Sequence, residues 1–254
     1  MISDEPSVFP RPAPVLRLPM ARPWVTYLIL ALIGVVFGAE SVLGGSTNIF
    51  TLRMLGAQVN PLIARGEYWR LFSTLFLHIG LMHVAFNGWA LFSLGREVEA
   101  FYGSGRFALL YFLSGLGGGV AYYLLGSSAL SAGASGAVFG LVGAEIAYFL
   151  RNRELFGAFG RQRLGNLATL VGVNLLFGFT VPGSNNLAHM GGLLTGLALG
   201  SGMCPHYGVV WEWVGFYPVP RLVNWAPLWR QMLAVLVAVV LIWAGLWLGD
   251  QRWR

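Results

Sequence analysis

From Phe107 to Ala144 the chain carries no charged side chain, and from Leu164 to Trp211 it again carries none. About 20 apolar helical residues cross a bilayer, so each run is long enough for two crossings. Lipid offers the backbone no hydrogen bonds, which leaves helices and closed barrels as the only spanning structures. No alternating strand pattern interrupts these runs, so they predict an all-α, polytopic membrane bundle. Composition agrees: 10% of the residues are charged, against about 25% in an ordinary soluble domain. Mean hydropathy is +0.67 and 56% of the residues are hydrophobic.

Polar breaks divide the chain into seven expected transmembrane helices, at about 24–39, 71–95, 107–125, 135–150, 165–181, 187–203 and 231–249. Residues 1–23 read as a short, Pro-rich, disordered cytoplasmic tail without a signal-peptide cleavage pattern. A six-helix core follows over 24–203, with an interfacial loop at about 41–68. Residues 204–230 form a cytoplasmic connector, and 231–254 an extra C-terminal helix and tail. Every basic residue is arginine. With the N-terminus inside, the inner segments hold eleven arginines and the outer segments five, so positive charge favours N-in and C-out. That asymmetry accounts for the net charge of +6 without a nucleic-acid partner. Cys204 is alone, which excludes a disulfide framework and a cysteine metal site and fits a buried, inert thiol.

Within the uncharged runs a few polar side chains stand out. Ser135 sits in Ser131-Ala-Gly-Ala-Ser-Gly-Ala137, a run of small residues at the start of an apolar helix. A hydroxyl is a weak nucleophile near neutral pH and needs a base and an oxyanion stabiliser. His189 is followed by Gly192, Gly196 and Gly200 on one helical face, and Ser135 by Gly136, Gly140 and Gly143. Such small-residue faces let two membrane helices approach closely. The glycines alone fit plain helix packing equally well, but a histidine within the membrane is costly and tends to mark function. His83 and Asn87, at i and i+4, share a face and can both donate hydrogen bonds. Spacing alone fits an oxyanion pair and a structural pair equally. His78 reads as a loop-bracing group and His206 as a solvated one.

In these residues the sequence resembles the rhomboid family of intramembrane serine proteases, over about Leu55 to Gly200. The resemblance rests on Trp69-Arg70, on His78 through His83 to Asn87, on Gly95 through Glu99 to Gly103, on Gly133-Ala-Ser-Gly136 and on Ala188-His-Met-Gly-Gly192. It implies a bundle of six helices plus one, Ser135 as nucleophile, His189 as general base, and His83 and Asn87 in the oxyanion hole with the Ser135 amide. It further implies that Phe139 packs on the imidazole, Trp69 and Arg70 brace the first loop, and Glu99 stabilises the inner end of the second crossing. Residues 179–187 would cap the site. Asn185 stands where many relatives carry Asp, which opens the question of how the cap is hydrogen-bonded. The implied substrates are transmembrane segments of other proteins in the lipid bilayer of a bacterial inner membrane, cut near its outer face. No cofactor and no metal are expected. The Ser135 motif is not the Gly-x-Ser-x-Gly elbow of the α/β-hydrolases, which also needs a preceding strand. The remaining competitor is a non-proteolytic polytopic protein, a transporter or a membrane-protein-binding relative, since broken helices and intramembrane histidine occur there too.

A soluble serine protease orients its histidine with a buried carboxylate. Here most acids lie in tails or inner loops. Glu40, Glu67 and Glu145 are the remaining candidates, and Glu145 lies ten residues beyond Ser135, about 15 Å along a helix. A Ser–His pair without a third acid is therefore expected. Single Gln substitutions at Glu40, Glu67 and Glu145 should each lower kcat on a helical substrate by less than about tenfold, against roughly ten-thousandfold for a true triad acid. A loss on the larger scale, with the fold intact, would identify the missing member.

Overall fold

The computed structural model of the chain describes residues 20–180, 185–215, 217–224 and 226–253. Most of the expected tail, and residues 181–184 of the expected cap, lie outside these. Helix α1 spans Trp24–Val42. Short helices α2 (Ile49–Leu55), α3 (Asn60–Ile63) and α4 (Arg70–Ser73) then fold the first long loop. Helix α5 (Leu81–Ala90), a π turn at Leu91–Gly95 and α6 (Arg96–Tyr102) run on as one rod, about 33 Å long at 1.5 Å per residue. After these come α7 (Ser104–Leu125), α8 (Ser135–Arg151), α9 (Arg153–Thr180) and α10 (Asn186–Met203). Strands β1 (Tyr207–Val214) and β2 (Tyr217–Asn224) precede the final helix, α11 (Leu228–Trp253).

Three expectations need correction. The chain is mainly helical but not all-α: the connector 204–230 folds into an antiparallel hairpin pairing Tyr207 with Asn224 through to Val214 with Tyr217. The β-branched and aromatic residues Val209, Val210, Trp211 and Trp213 favour a strand. The helix expected over 71–95 is instead the rod 81–102, which carries Arg96, Glu97 and Glu99 within it. Its charges are satisfied individually. Arg96 lies 4.7 Å over the Phe92 ring, Glu97 pairs with Arg163, and Glu99 is fully buried. Finally, the expected inner loop before 165–181 is helical from Arg153, bent at Gly157, whose φ of +49° suits a residue without Cβ.

Glu99 links three helices. Its carboxylate accepts from the Val25 and Thr26 amides at 3.0 and 2.8 Å, from Thr26 Oγ1 at 2.7 Å and from Ser104 Oγ at 2.6 Å. It thereby caps the start of α1, whose first amides have no local acceptor. The first loop is held equally firmly. Arg70 donates to the carbonyls of Arg53 (2.8 Å) and Ala57 (3.1 Å), pairs with Glu67 at 2.6 Å and stacks on Trp69. Gln58 and Asn60 reach the carbonyls of Gly119, Tyr122 and Ser127 at the end of α7. The resemblance implied bracing roles for Trp69, Arg70 and Glu99, and these contacts fit them.

Helix α8 is buried along almost its whole length, from Gly136 to Phe149. The outer helices instead expose large apolar side chains, among them Trp24, Phe177, Trp243 and Trp247. Exposed apolar surface on this scale suits lipid rather than water. Among the described residues, α1, α7 and α11 are each long and apolar enough to cross a membrane. The two central helices meet through glycine. A Cβ on Gly192 would strike the Gly136 carbonyl, and one on Gly196 the Gly140 carbonyl. Gly34 of α1, by contrast, has nothing within 4 Å of a Cβ. Gly196→Val should therefore lower the Tm in detergent by at least about 5 °C, given that overpacking costs 1–3 kcal/mol or more. Gly34→Val should shift it far less. Equal melting points for the two variants would refute this contact as the determinant of α8–α10 packing.

Candidate active site

Ser135 opens α8, and the loop leading to it is fixed from several sides. Ser131 and Gln58 exchange two backbone hydrogen bonds of 2.9 Å, and Thr74 Oγ1 donates to the Ser131 carbonyl at 2.8 Å. Gly133 donates its amide to the Thr74 carbonyl at 3.0 Å. Its φ is +137°, and a Cβ there would lie 2.9 Å from His83 Nε2, so both conformation and space call for glycine. The Ala134 amide donates to His78 Nε2 at 3.3 Å. Since that nitrogen accepts, His78 Nδ1 carries the proton and donates it to the Phe76 carbonyl at 3.2 Å. The His78 amide in turn donates to Glu40 at 2.9 Å. His78 thus braces the loop, as expected. Its link to the residue before Ser135, and the Glu40 anchor behind it, carry no spacing signal in the sequence. The first helical bond of α8 is donated by Val138, to Ala134, so the Ser135 amide is left for another acceptor.

Helix α10 brings His189 to the same place. Asn185 caps it, with Oδ1 accepting from the Ala188 amide at 3.0 Å, while its Nδ2 donates to Ser131 Oγ at 2.9 Å. The departure from Asp therefore keeps the cap and adds a donor that ties α10 to the Ser135 loop. Asn186 turns away from the site and donates to the Leu175 carbonyl of α9 at 3.1 Å. His189 Nε2 and Ser135 Oγ are 2.9 Å apart. Phe139, one turn beyond Ser135, stacks on the imidazole with centroids 4.4 Å apart and planes within 5°. If Nε2 is to take the serine proton, Nδ1 bears the other one, and Nδ1 is buried with no partner among the described residues. Glu40 accepts from the His78 amide, Glu67 pairs with Arg70, and Glu145 pairs with Arg163 at 2.6 Å. None of these acids bonds the imidazole.

His83 and Asn87 emerge on one face of α5. His83 Nδ1 accepts from the Ile79 amide at 3.3 Å, which leaves the proton on Nε2, beside Gly133. The same point above Gly133 is 3.8 Å from Ser135 Oγ, so His83 and Ser135 flank one small space. Asn87 donates one amide hydrogen to the His83 carbonyl at 3.0 Å and keeps a second. Ser135 and His83 are part-exposed, Asn87 and His189 buried. His206 is exposed at the head of the hairpin, and Cys204 is buried beside Asn152. Among the described residues no group of three or more His, Cys, Asp or Glu could hold a metal ion.

Comparison with known proteins shows the family. The Rhomboid domain family model matches residues 65–206, more than half of the chain. Over 176 residues the chain is 46% identical to "Rhomboid protease GluP" of Bacillus subtilis (strain 168), covering 69% of this chain and 34% of that protein. It is 35% identical over 210 residues to "RHOMBOID-like protein 4" of Arabidopsis thaliana, covering 78% and 51%. It is 33% identical over 214 residues to "RHOMBOID-like protein 6, mitochondrial" of the same plant, covering 82% and 67%. The chain thus spans a third to a half of the first two. The family match covers the Ser135 loop, His189, His83, Asn87 and the glycine seam between α8 and α10. This chain, an integral membrane protein, belongs to the rhomboid family.

Proposed function

We propose that the chain is an intramembrane serine endopeptidase that cuts transmembrane segments of other proteins with a Ser135–His189 dyad. The observation that carries this reading is the 2.9 Å contact between Ser135 Oγ and His189 Nε2, made by an imidazole stacked on Phe139. A relative of 46% identity that is named a rhomboid protease supports the same class of reaction. On this reading the chain crosses the bilayer seven times, N-terminus inside, in a bacterial inner membrane. The dyad then lies near the outer face, with α11 as the additional crossing.

The reaction follows from the positions of the donors. Ser135 Oγ attacks the carbonyl carbon of the scissile bond while its proton passes to His189 Nε2. The carbonyl electron pair moves to oxygen, where the Ser135 amide, His83 Nε2–H and the spare Asn87 amide hydrogen can meet it. Collapse of this intermediate expels the amine, which takes the proton back from His189. A water then attacks the acyl ester, gives its proton to His189 and releases the acid, and Ser135 recovers the proton. The part-exposed sides of Ser135 and His83 give that water a route. A substrate helix hides its carbonyls in its own hydrogen bonds, so it has to unwind locally before attack.

Ser135→Ala and His189→Ala should each abolish cleavage of a helical substrate while leaving the Tm nearly unchanged, and Ser135→Ala should also lose covalent labelling by a fluorophosphonate. Full activity in either purified variant would sink the dyad. Asn87→Ala should lower kcat by about ten- to a thousandfold, the scale of losing one oxyanion donor, with KM little altered. A rise in KM at unchanged kcat would make Asn87 a structural partner of His83 instead.

A further inference from the structure

Helix α11 touches α10 and α7 near its ends and parts from them in between, while α7 and α10 stay packed on each other. Gly202 of α10 lies against Ala234 of α11 at one end, and Gly245 and Gly249 of α11 lie against Val120 and Tyr123 of α7 at the other. Between these contacts runs a groove of about 660 Å³, lined by Gly117 and Ala121 from α7, Gly191 and Ala198 from α10, and Val237 and Leu241 from α11. Arg230 is the one charged side chain among its described lining residues, and it stands at the α11 N-terminal end beside Trp229. Thr195 turns its hydroxyl back onto the Gly191 carbonyl at 2.8 Å, so the middle of the groove offers a ligand nothing polar from that side chain.

We propose that this groove binds the acyl chain of an anionic phospholipid whose phosphate is held by Arg230. The assignment rests on charge, length and width. The Arg230 side chain makes no hydrogen bond or ion pair with a described residue. A cation at one mouth of an apolar channel suits a lipid phosphate above its hydrocarbon. From Arg230 to Ile242 the groove follows twelve residues of α11, about 18 Å, close to the ~15 Å depth of one leaflet's hydrocarbon. Dividing the 660 Å³ by that length gives a mean section of about 37 Å², under half of the ~80 Å² of a helix 10 Å across. A single hydrocarbon chain fits that section. The groove wall at Gly191 directly follows His189 in α10, so an occupied groove would support that helix from behind.

The test is native mass spectrometry of the full chain released from nanodiscs of equal phosphatidylglycerol and phosphatidylethanolamine. A phospholipid should be retained, with phosphatidylglycerol favoured roughly fivefold, the ratio that about 1 kcal/mol from a basic side chain gives. Arg230→Gln should bring the ratio to about one, since it keeps the stem and removes the charge. Ala198→Phe, which fills the groove, should reduce retention of both lipids. Equal retention of the two lipids by the unaltered chain, or an unchanged preference in Arg230→Gln, overturns the proposal. A second copy of the chain in the retained mass, in place of lipid, overturns it too. Should Ala198→Phe not fold, the Arg230→Gln ratio decides alone. Neither readout involves proteolysis, so the outcome is independent of the proposed activity.

Discussion

The approach of α8 and α10 through bare backbone is the constraint on which the rest of the site depends. Ser135 and His189 stand at the starts of two helices, and a 2.9 Å contact between their side chains requires those helix axes to be unusually close. Gly192 and Gly196 lie directly on the carbonyls of Gly136 and Gly140, with no side chain between them. In lipid there is little hydrophobic gain from bringing helices together, so close van der Waals packing and interhelical hydrogen bonds carry the association. Tyr102 adds one such bond, donating to the Ala144 carbonyl at 2.8 Å across the same seam. The chemistry of the pair is thus set by residues that have no functional group of their own.

Around this seam the loops act as clamps. The Ser135 loop is held through Gln58, Thr74 and His78, and α10 is tied to the same loop by Asn185. Three of these anchors, Gln58, Thr74 and His78, are buried, where an unmade hydrogen bond is most costly. The loop is therefore held by groups that cannot let go without penalty. That is the pre-organisation a nucleophile and its oxyanion donors need. Nδ1 of His189, which has no partner among the described residues, is the exception, and on the proposed reading Phe139 stacked on the ring would orient it as a carboxylate does in a triad.

Much of this was legible in the sequence, and where it failed the reasons are physical. Uncharged runs marked the membrane helices because charge in lipid is expensive, and small-residue spacing marked the α8–α10 face because the helical period fixes it. Ser135, His189, His83 and Asn87 could be singled out because each sits in a short motif, and Phe139 through the family resemblance; the structure brings the five together. Charge misplaced the second helix, since Glu97 pairs with Arg163 and Glu99 accepts hydrogen bonds from Thr26, both distant in sequence, while Arg96 sits over Phe92 one turn away. The hairpin at 207–224 was hidden because a short strand pair leaves only a weak alternation between two apolar helices. Long-range ties such as Ala134 to His78 leave no periodic trace at all.

The C-terminal helix also ties together parts of the chain that are far apart in sequence. Asp250 accepts from Tyr68, a neighbour of the Trp69–Arg70 brace, at 2.7 Å and from Tyr123 at 2.7 Å, while Arg252 donates to the carbonyls of Leu124 and Gly126. Tyr68 and Asp250 are 182 residues apart in the chain. During synthesis the first ten helices emerge while the first loop still lacks this strap, because its other half has not been made. The strap forms only once α11 is in place, so it is a late addition to a first loop that Gln58 and Asn60 already hold to α7 and to the segment leading to Ser135. A chain stalled before α11 would hold its serine and histidine but not this tie.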